Sequence, residues 1–322
     1  MKPVLITSLD FELYWGVCSS RSIDEYKDNI LGGRKAIPEL LELFKKHSVH
    51  TTWATVGFMF AENYDDLKRY LPQESLLPTY SDPELNSYDC LYKKACNKES
   101  EDYFFALPLI KLISGFEGQE IGSHTFSHLF CRDKGITKEQ FDTDILSAVK
   151  IAEDKGFKLS SVVFPRNQYN PDLMGDLDPS VISAFRDEEN DWIHEKIKIK
   201  PLLRALRLMD VYFPLTGQGG YFPKKEYGAW NFVGSRMYKP YYKPLAFLER
   251  LKIRRIKKQM LHAAKNGLVF HLWWHPHNIG VRTDFHLKQL EEIFSYYDEL
   301  KEKYGMVSMN MQEAAEYFSN LD

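Results

Sequence analysis

Residues 4–12 read Val-Leu-Ile-Thr-Ser-Leu-Asp-Phe-Glu. Val4 to Ser8 is a short apolar run with β-branched members, and it gives way to Asp10-Phe11-Glu12. Such a run fits a strand buried on both faces in a parallel sheet, with polar side chains at its C-terminal end. Positions i and i+2 of a strand share a face, so Asp10 and Glu12 look into one cleft. Two carboxylates placed there lose hydration and repel each other unless a cation or a proton resolves the conflict.

Working outward, Ile37, Leu40, Leu41 and Phe44 recur at helical spacing and predict a helix over about residues 33–47. Strands are expected at 50–56, 120–123, 161–164, 268–274 and 306–309. Thr137-Lys-Glu-Gln140 is a capping-box pattern and opens a helix that runs to Lys155. Further helices are expected over 245–264 and 284–304 and at the C-terminus. Strands alternating with long helices imply parallel pairing, hence an α/β layer or barrel. Two stretches, about 61–118 and 176–243, lack this rhythm and are too long for ordinary connections. They read as insertions over one end of the sheet in a single domain spanning residues 1–322.

The 322 residues are 44% hydrophobic and 27% charged, with a formal net charge of −3. That composition buries a large core and excludes disordered or collagenous chains, and it argues against nucleic-acid binding. The four cysteines lack paired CxxC spacing, so neither a zinc knuckle nor a disulfide framework is expected. No secretory leader and no membrane span is expected, and the reading is of a cytoplasmic protein. The run Arg250-Leu-Lys-Ile-Arg-Arg-Ile-Lys-Lys258 reads first as a solvated helix face. Its alternative is attraction to phosphates, of a nucleotide sugar or of anionic lipid in a peripheral membrane contact.

Three further clusters carry chemistry. His124-Thr-Phe-Ser-His128 follows a predicted strand, and two imidazoles four apart on a helical turn reach one metal ion. Two histidines and one carboxylate leave an open position for water, which is the pattern of a catalytic metal site, and free the second carboxylate as a base. In Val269-Phe-His-Leu-Trp-Trp-His-Pro-His277, His271 reads as a core histidine and His275 as a proton donor at a strand end. The tryptophans beside it would wall a sugar site. In Phe164-Pro-Arg-Asn-Gln-Tyr169, an arginine near a carboxylate base would hold that base ionised.

In this order the motifs resemble the polysaccharide deacetylase family, also called the NodB-homology family or carbohydrate esterase family 4. The resemblance covers the strands, about half of the chain. It implies a distorted (β/α)7-type barrel and a divalent metal, zinc first, with iron, cobalt or nickel accepting similar donors. The implied activity is removal of an N-acyl group from an amino sugar. By the motifs, Asp10 is the general base and Glu12, His124 and His128 are the metal ligands. Arg166 steadies Asp10, and His275 is the general acid. Trp15, Asn167, Tyr169, Trp274 and His277 are candidates to touch the substrate. Phe11 stands where the commoner pattern has a second aspartate, so the reverse assignment, Asp10 as ligand and Glu12 as base, stays open. The Pro165-Arg166 order is inverted from the usual one, and the fourth motif has no clear counterpart within 176–243. The implied partner is an acylated amino sugar, oligosaccharide-borne or linked to a nucleotide or lipid, as in surface-polysaccharide or O-antigen assembly. Deformylation, cyclic-amide opening and non-catalytic sugar binding are the alternatives.

Overall fold

The computed structural model describes residues 1–175, 181–187, 193, 197 and 199–321. The remaining positions of the second expected insertion lie outside the described residues. The first strand, β1 (Val4–Phe11), is buried at every position, as its apolar run requires. It extends three residues beyond the apolar core, so Asp10 lies within the strand and Glu12 just past its end. Helix α1 (Ile23–His47) starts ten residues earlier than its apolar periodicity suggests. Its opening is polar, but Ser22 and Glu25 close a capping box that marks the true start. A Cβ added to Gly33 would sit 2.8 Å from the His277 Cα, so glycine lets α1 pack directly on the turn after the last long strand.

β2 (Thr51–Thr55) and β3 (Gln119–Ser123) are joined by short helical turns and by α2 (Leu107–Ser114). Next come α3 (Lys138–Asp154), capped by Thr137 and Gln140 as expected, then β4 (Ser161–Val163) and β5 (Ala184–Arg186). Helix α4 (Lys200–Tyr212) precedes three short strands, β6 (Lys224–Glu226), β7 (Ala229–Asn231) and β8 (Arg236–Met237). The chain closes with α5 (Glu249–Asn266), β9 (Val269–Trp274), α6 (Thr283–Tyr304), β10 (Val307–Met309) and α7 (Met311–Ser319).

Among the described residues the strands order as β6-β7-β5-β4-β3-β2-β1-β9-β8, with β10 beside the first half of β1. Only the β6–β7 pair is antiparallel. The sheet curls on itself into a distorted barrel. Arg186 on β5 reaches Ser8 and Asp10 on β1, four strands away in the pairing order. β7, beside the β6 edge, and β8, at the other edge, are joined by residues 232–235. His271 fastens this seam: its Nδ1 donates to the Phe232 carbonyl, and its backbone N–H donates to Ser235 Oγ. The parallel arrangement directs the C-terminal ends of β1, β3, β4, β5 and β9 to one rim, where the motif residues gather.

The basic run 250–258 is not one surface. Lys252 turns inward to Glu249 and the Lys239 carbonyl, and Arg255 turns inward to Asp210, because helical periodicity puts those two positions on the packed side. Arg250, Arg254 and Lys258 remain exposed. Among the described residues no helix is long and apolar enough to cross a membrane.

Candidate active site

Glu12 lies at the bottom of the rim. A Cβ on Gly16 would fall within 2.0 Å of the Glu12 carboxyl carbon, so the loop after β1 folds back over that carboxylate only because residue 16 is glycine. Glu12 Oε2 meets His124 Nε2 at 3.2 Å and His128 Nε2 at 3.1 Å, and all three side chains are buried.

The segment His124–His128 is not helical, contrary to the spacing argument. Thr125 and His128 have φ of 62° and 59°, in the left-handed region. The buried Asp144 imposes this shape, accepting hydrogen bonds from the Phe126 and Ser127 backbone N–H groups and from the Ser127 hydroxyl. Burial outweighs those donors and pushes Asp144 up to about 6. Leu13, Arg166 and Asn167 also have positive φ, so five strained non-glycine residues encircle the site, where backbone strain is commonly held.

The donors suit a divalent cation. The Val163 carbonyl 2.8 Å from His124 Nδ1 can only accept, so Nδ1 carries a proton and Nε2 is the ring atom turned to Glu12. Burial lowers His128 despite the opposing pull of Glu12, keeping its ring neutral, and its Nδ1 is buried without a partner. Glu12, His124 and His128 each bring one ligand atom, all within 4.8 Å of one another.

Asp10 stands beside this group but is held differently. Arg186 Nη2 is 2.7 Å from Asp10 Oδ2, while its Nε and Nη2 both donate to Asn167 Oδ1 and its Nη1 donates to Ser8 Oγ. The Ser8 hydroxyl then donates to His271 Nε2 at 2.7 Å, and His271, neutral because burial drives it down to about 3, ends the chain at Phe232. Burial alone would raise Asp10, but Arg186, then His275 and His124, hold it below the usual carboxylate value. Burial likewise opposes ionisation of Glu12, and His275 with the two facing imidazoles takes it well below. His275 Nε2 is 3.5 Å from both Asp10 Oδ2 and Glu12 Oε1. The Asn278 side chain, 3.1 Å from His275 Nδ1, holds the ring with Nε2 turned to both acids.

Several expected residues stand elsewhere. Arg166 does not hold Asp10: its left-handed backbone turns the guanidinium outward, 4.4 Å from the centre of the Phe130 ring. Arg186, fully buried, takes that place. Trp15 is core, donating to the Phe104 carbonyl and packed against Phe58. Trp274 is also core, against Phe44 and Tyr238, because strand alternation turns it away from the rim. Trp273 faces the cavity instead, with the Arg186 guanidinium 4.3 Å from its ring centre. The parity shared by His271, Trp273 and His275 was the signal. Tyr169 packs on Phe185 and Tyr227 and does not line the cavity. Asn167 does line it, and fixes Arg186. His277 lies behind the site rather than in the cavity, stacked on His275 with Nε2 3.9 Å from Glu12 Oε1. Of the fourth-motif candidates, Asp210 is tied to Arg236 and Arg255, and Trp230 packs on Phe318.

Above these groups opens a cavity of about 780 Å³, large enough for a sugar derivative. Its outer walls come from the second irregular stretch, including Arg204, Arg207, Leu208 and Tyr242, and none of its lining residues comes from 61–118.

A polysaccharide deacetylase structure from Mycobacterium smegmatis aligns over 98% of this chain and 90% of its own, at TM-score 0.62 and 12% identity. The chain shares the fold of that protein. A 4-alpha-glucanotransferase from Thermococcus litoralis aligns over 96% of the chain and 42% of its own, at 0.51 and 13% identity. A GH57-type branching enzyme from Pyrococcus horikoshii aligns over 98% and 69%, at 0.51 and 12% identity. No protein-family model and no curated protein sequence matches the chain. At these identities the likeness is one of fold, and the fold hosts more than one carbohydrate chemistry.

Proposed function

We propose that the chain is a metal-dependent hydrolase that removes an N-acyl group, N-acetyl in the simplest case, from an amino sugar. One observation carries this reading: two imidazole Nε2 atoms converge on one Glu12 oxygen, beside a second acid that is held ionised by arginine. Glu12, His124 and His128 would hold the cation; zinc suits this donor set, and iron, cobalt or nickel accept it. When bound, the cation supplies polarisation of the acyl carbonyl and a more acidic water.

Asp10, ionised and fixed by Arg186, takes the proton of the attacking water at its carboxylate. His275 turns Nε2 to both acids; charged as an imidazolium it gives its Nε2 proton to the leaving amine and is left a neutral ring. Trp273 offers an apolar face to the sugar ring, and the second irregular stretch walls the cavity around it.

Elemental analysis of the purified protein, followed by a screen of acylated amino sugars assayed separately for released acetate and formate, tests the reading. A bound divalent metal is expected, with activity silenced by a chelator and restored by zinc. Metal-loaded protein that binds an acylated sugar without releasing any carboxylate would overturn hydrolysis in favour of a binding module.

A further inference from the structure

Helix α4 and its flanks expose an apolar patch that the proposed chemistry does not use. Sixteen large hydrophobic side chains are exposed among the described residues, and six of them fall within residues 199–215, so this is a patch rather than scatter. They are Ile199, Leu202, Leu208, Met209, Phe213 and Leu215, with Ile199 64% exposed and Met209 45%. The charges within this stretch are one-sided. Lys200, Arg204 and Arg207 are exposed, whereas its single acid, Asp210, is buried and bound to Arg236 and Arg255.

Helix α5 lies alongside, since its Arg255 also donates to the backbone carbonyls of Asp210 and Phe213. With Lys252 and Arg255 turned in, α5 exposes Arg250, Arg254 and Lys258 at steps of four, on one face. The neighbouring Phe247 is 78% exposed. Among the described residues, an exposed apolar helix face beside the exposed basic side chains Lys200, Arg204, Arg250, Arg254 and Lys258 is the pattern of a helix lying in the interface of an anionic bilayer. A second copy of the chain fits less well, because a two-fold contact would bring the same basic row against itself.

We propose that α4, with the exposed face of α5, docks this protein on an anionic lipid surface. The docking stands apart from the catalytic reading. Where it joins that reading, and rests on it, is the substrate class: Arg204, Arg207, Leu208 and Val211 of α4 also line the cavity. The surface that would meet the bilayer is therefore the cavity rim, and a lipid-linked amino sugar is the substrate placed to enter there.

The test is flotation of the full chain with vesicles of phosphatidylcholine alone or mixed with phosphatidylglycerol, in the absence of any sugar. Binding to the mixed vesicles is expected, weakening as salt is raised. Leu202→Glu with Met209→Glu, and separately Arg254→Glu with Lys258→Glu, should each lower partitioning by roughly tenfold or more, with metal content and thermal unfolding unchanged. Should the glutamate pair unfold the protein, Leu202→Ser with Met209→Ser reads the same face. Wild-type protein that stays off mixed vesicles at low salt, or binds as well when both faces are altered, overturns the proposal. So does a dimer in light scattering that the Leu202/Met209 variants disperse, which would assign the face to a second copy. Because flotation needs no turnover, a failed hydrolase assay leaves the docking result intact, and the converse holds.

Discussion

Two buried glutamates sit at opposite ends of the same sheet, and their surroundings drive them in opposite directions. Glu12, past the C-terminal end of β1, faces imidazoles and is held well below the usual carboxylate value against the opposing effect of burial. Glu120, near the start of β3, is just as buried but is met by neutral donors: Ser161 Oγ, Thr52 Oγ1 and the Gln312 backbone N–H. There burial wins, and its pKa is raised. Glu120 has a satisfied hydrogen-bond set that ties β2, β3, β4 and α7 together. Glu12 has charge and ligand atoms in excess of what packing requires. A buried carboxylate is thus a functional signal when its partners are themselves ionisable or metal-ligating, and a structural one when they are hydroxyls and amides.

Breaking the upper end should give the largest effects. His124→Ala or Glu12→Ala should remove the bound metal, read by elemental analysis, and lower turnover by about a thousandfold or more. Asp10→Asn should leave metal content near wild type while cutting turnover about a hundredfold or more. Arg186→Lys, which keeps the charge but loses the fork that joins Asp10, Asn167 and Ser8, should lower kcat by roughly tenfold to a hundredfold at wild-type metal content. Arg166→Ala should change kcat less, since its guanidinium lies over Phe130. Equal losses for Arg166 and Arg186 would refute the assignment of Arg186 as the residue that positions Asp10.

The lower end predicts a stability effect with no loss of chemistry. Glu120→Ala leaves three donors without a partner and should cost about 2–4 kcal/mol, read by denaturant unfolding, with metal content unchanged. Glu120→Gln can still accept from Thr52 and Gln312 while donating to Ser161, and should cost about 1 kcal/mol. Loss of metal in Glu120→Gln would show that the two ends are coupled.

This division explains how much the sequence disclosed. Asp10, Glu12, His124, His128 and His275 were legible because each follows an apolar strand with an abrupt polar break, and strand parity then fixes which side chains converge. The same grammar governs Ile182-Ser-Ala-Phe-Arg186, an apolar run ending in charge. It was hidden because β5 is three residues long and sits in a stretch without periodicity. Arg166 also stands at a strand end, in the segment that resembles the third motif, but its left-handed backbone turns the guanidinium to Phe130. Trp273 and Trp274 differ only in parity. His271 and Trp273 share a face of β9, and Trp274 takes the other, which turns it into the core. The shape of the His124–His128 loop was not legible, because it depends on Asp144, whose carboxylate arrives from a helix with no local mark of that role.

The smallest expected effect comes from the lower end's own acid–imidazole pair. His50 Nδ1 lies 2.7 Å from Glu313 Oε2, joining the start of β2 to α7. The hydrogen bond to Glu313 raises His50 above its ordinary value against the opposing effect of burial. A raised folded-state value means that the pair's contribution is fully present below about pH 6.5, the unfolded value, and is lost as pH rises through the folded value. Both side chains are about one-third exposed, so solvent screening holds the contribution to a fraction of ~1 kcal/mol. His50→Gln should remove that slope from the pH dependence of unfolding between about 6 and 8 while leaving metal content and turnover untouched. An imidazole beside a carboxylate is common to both ends of the barrel. The upper end differs in converging a second imidazole on the same Glu12 oxygen, so only there should replacing an imidazole cost bound metal.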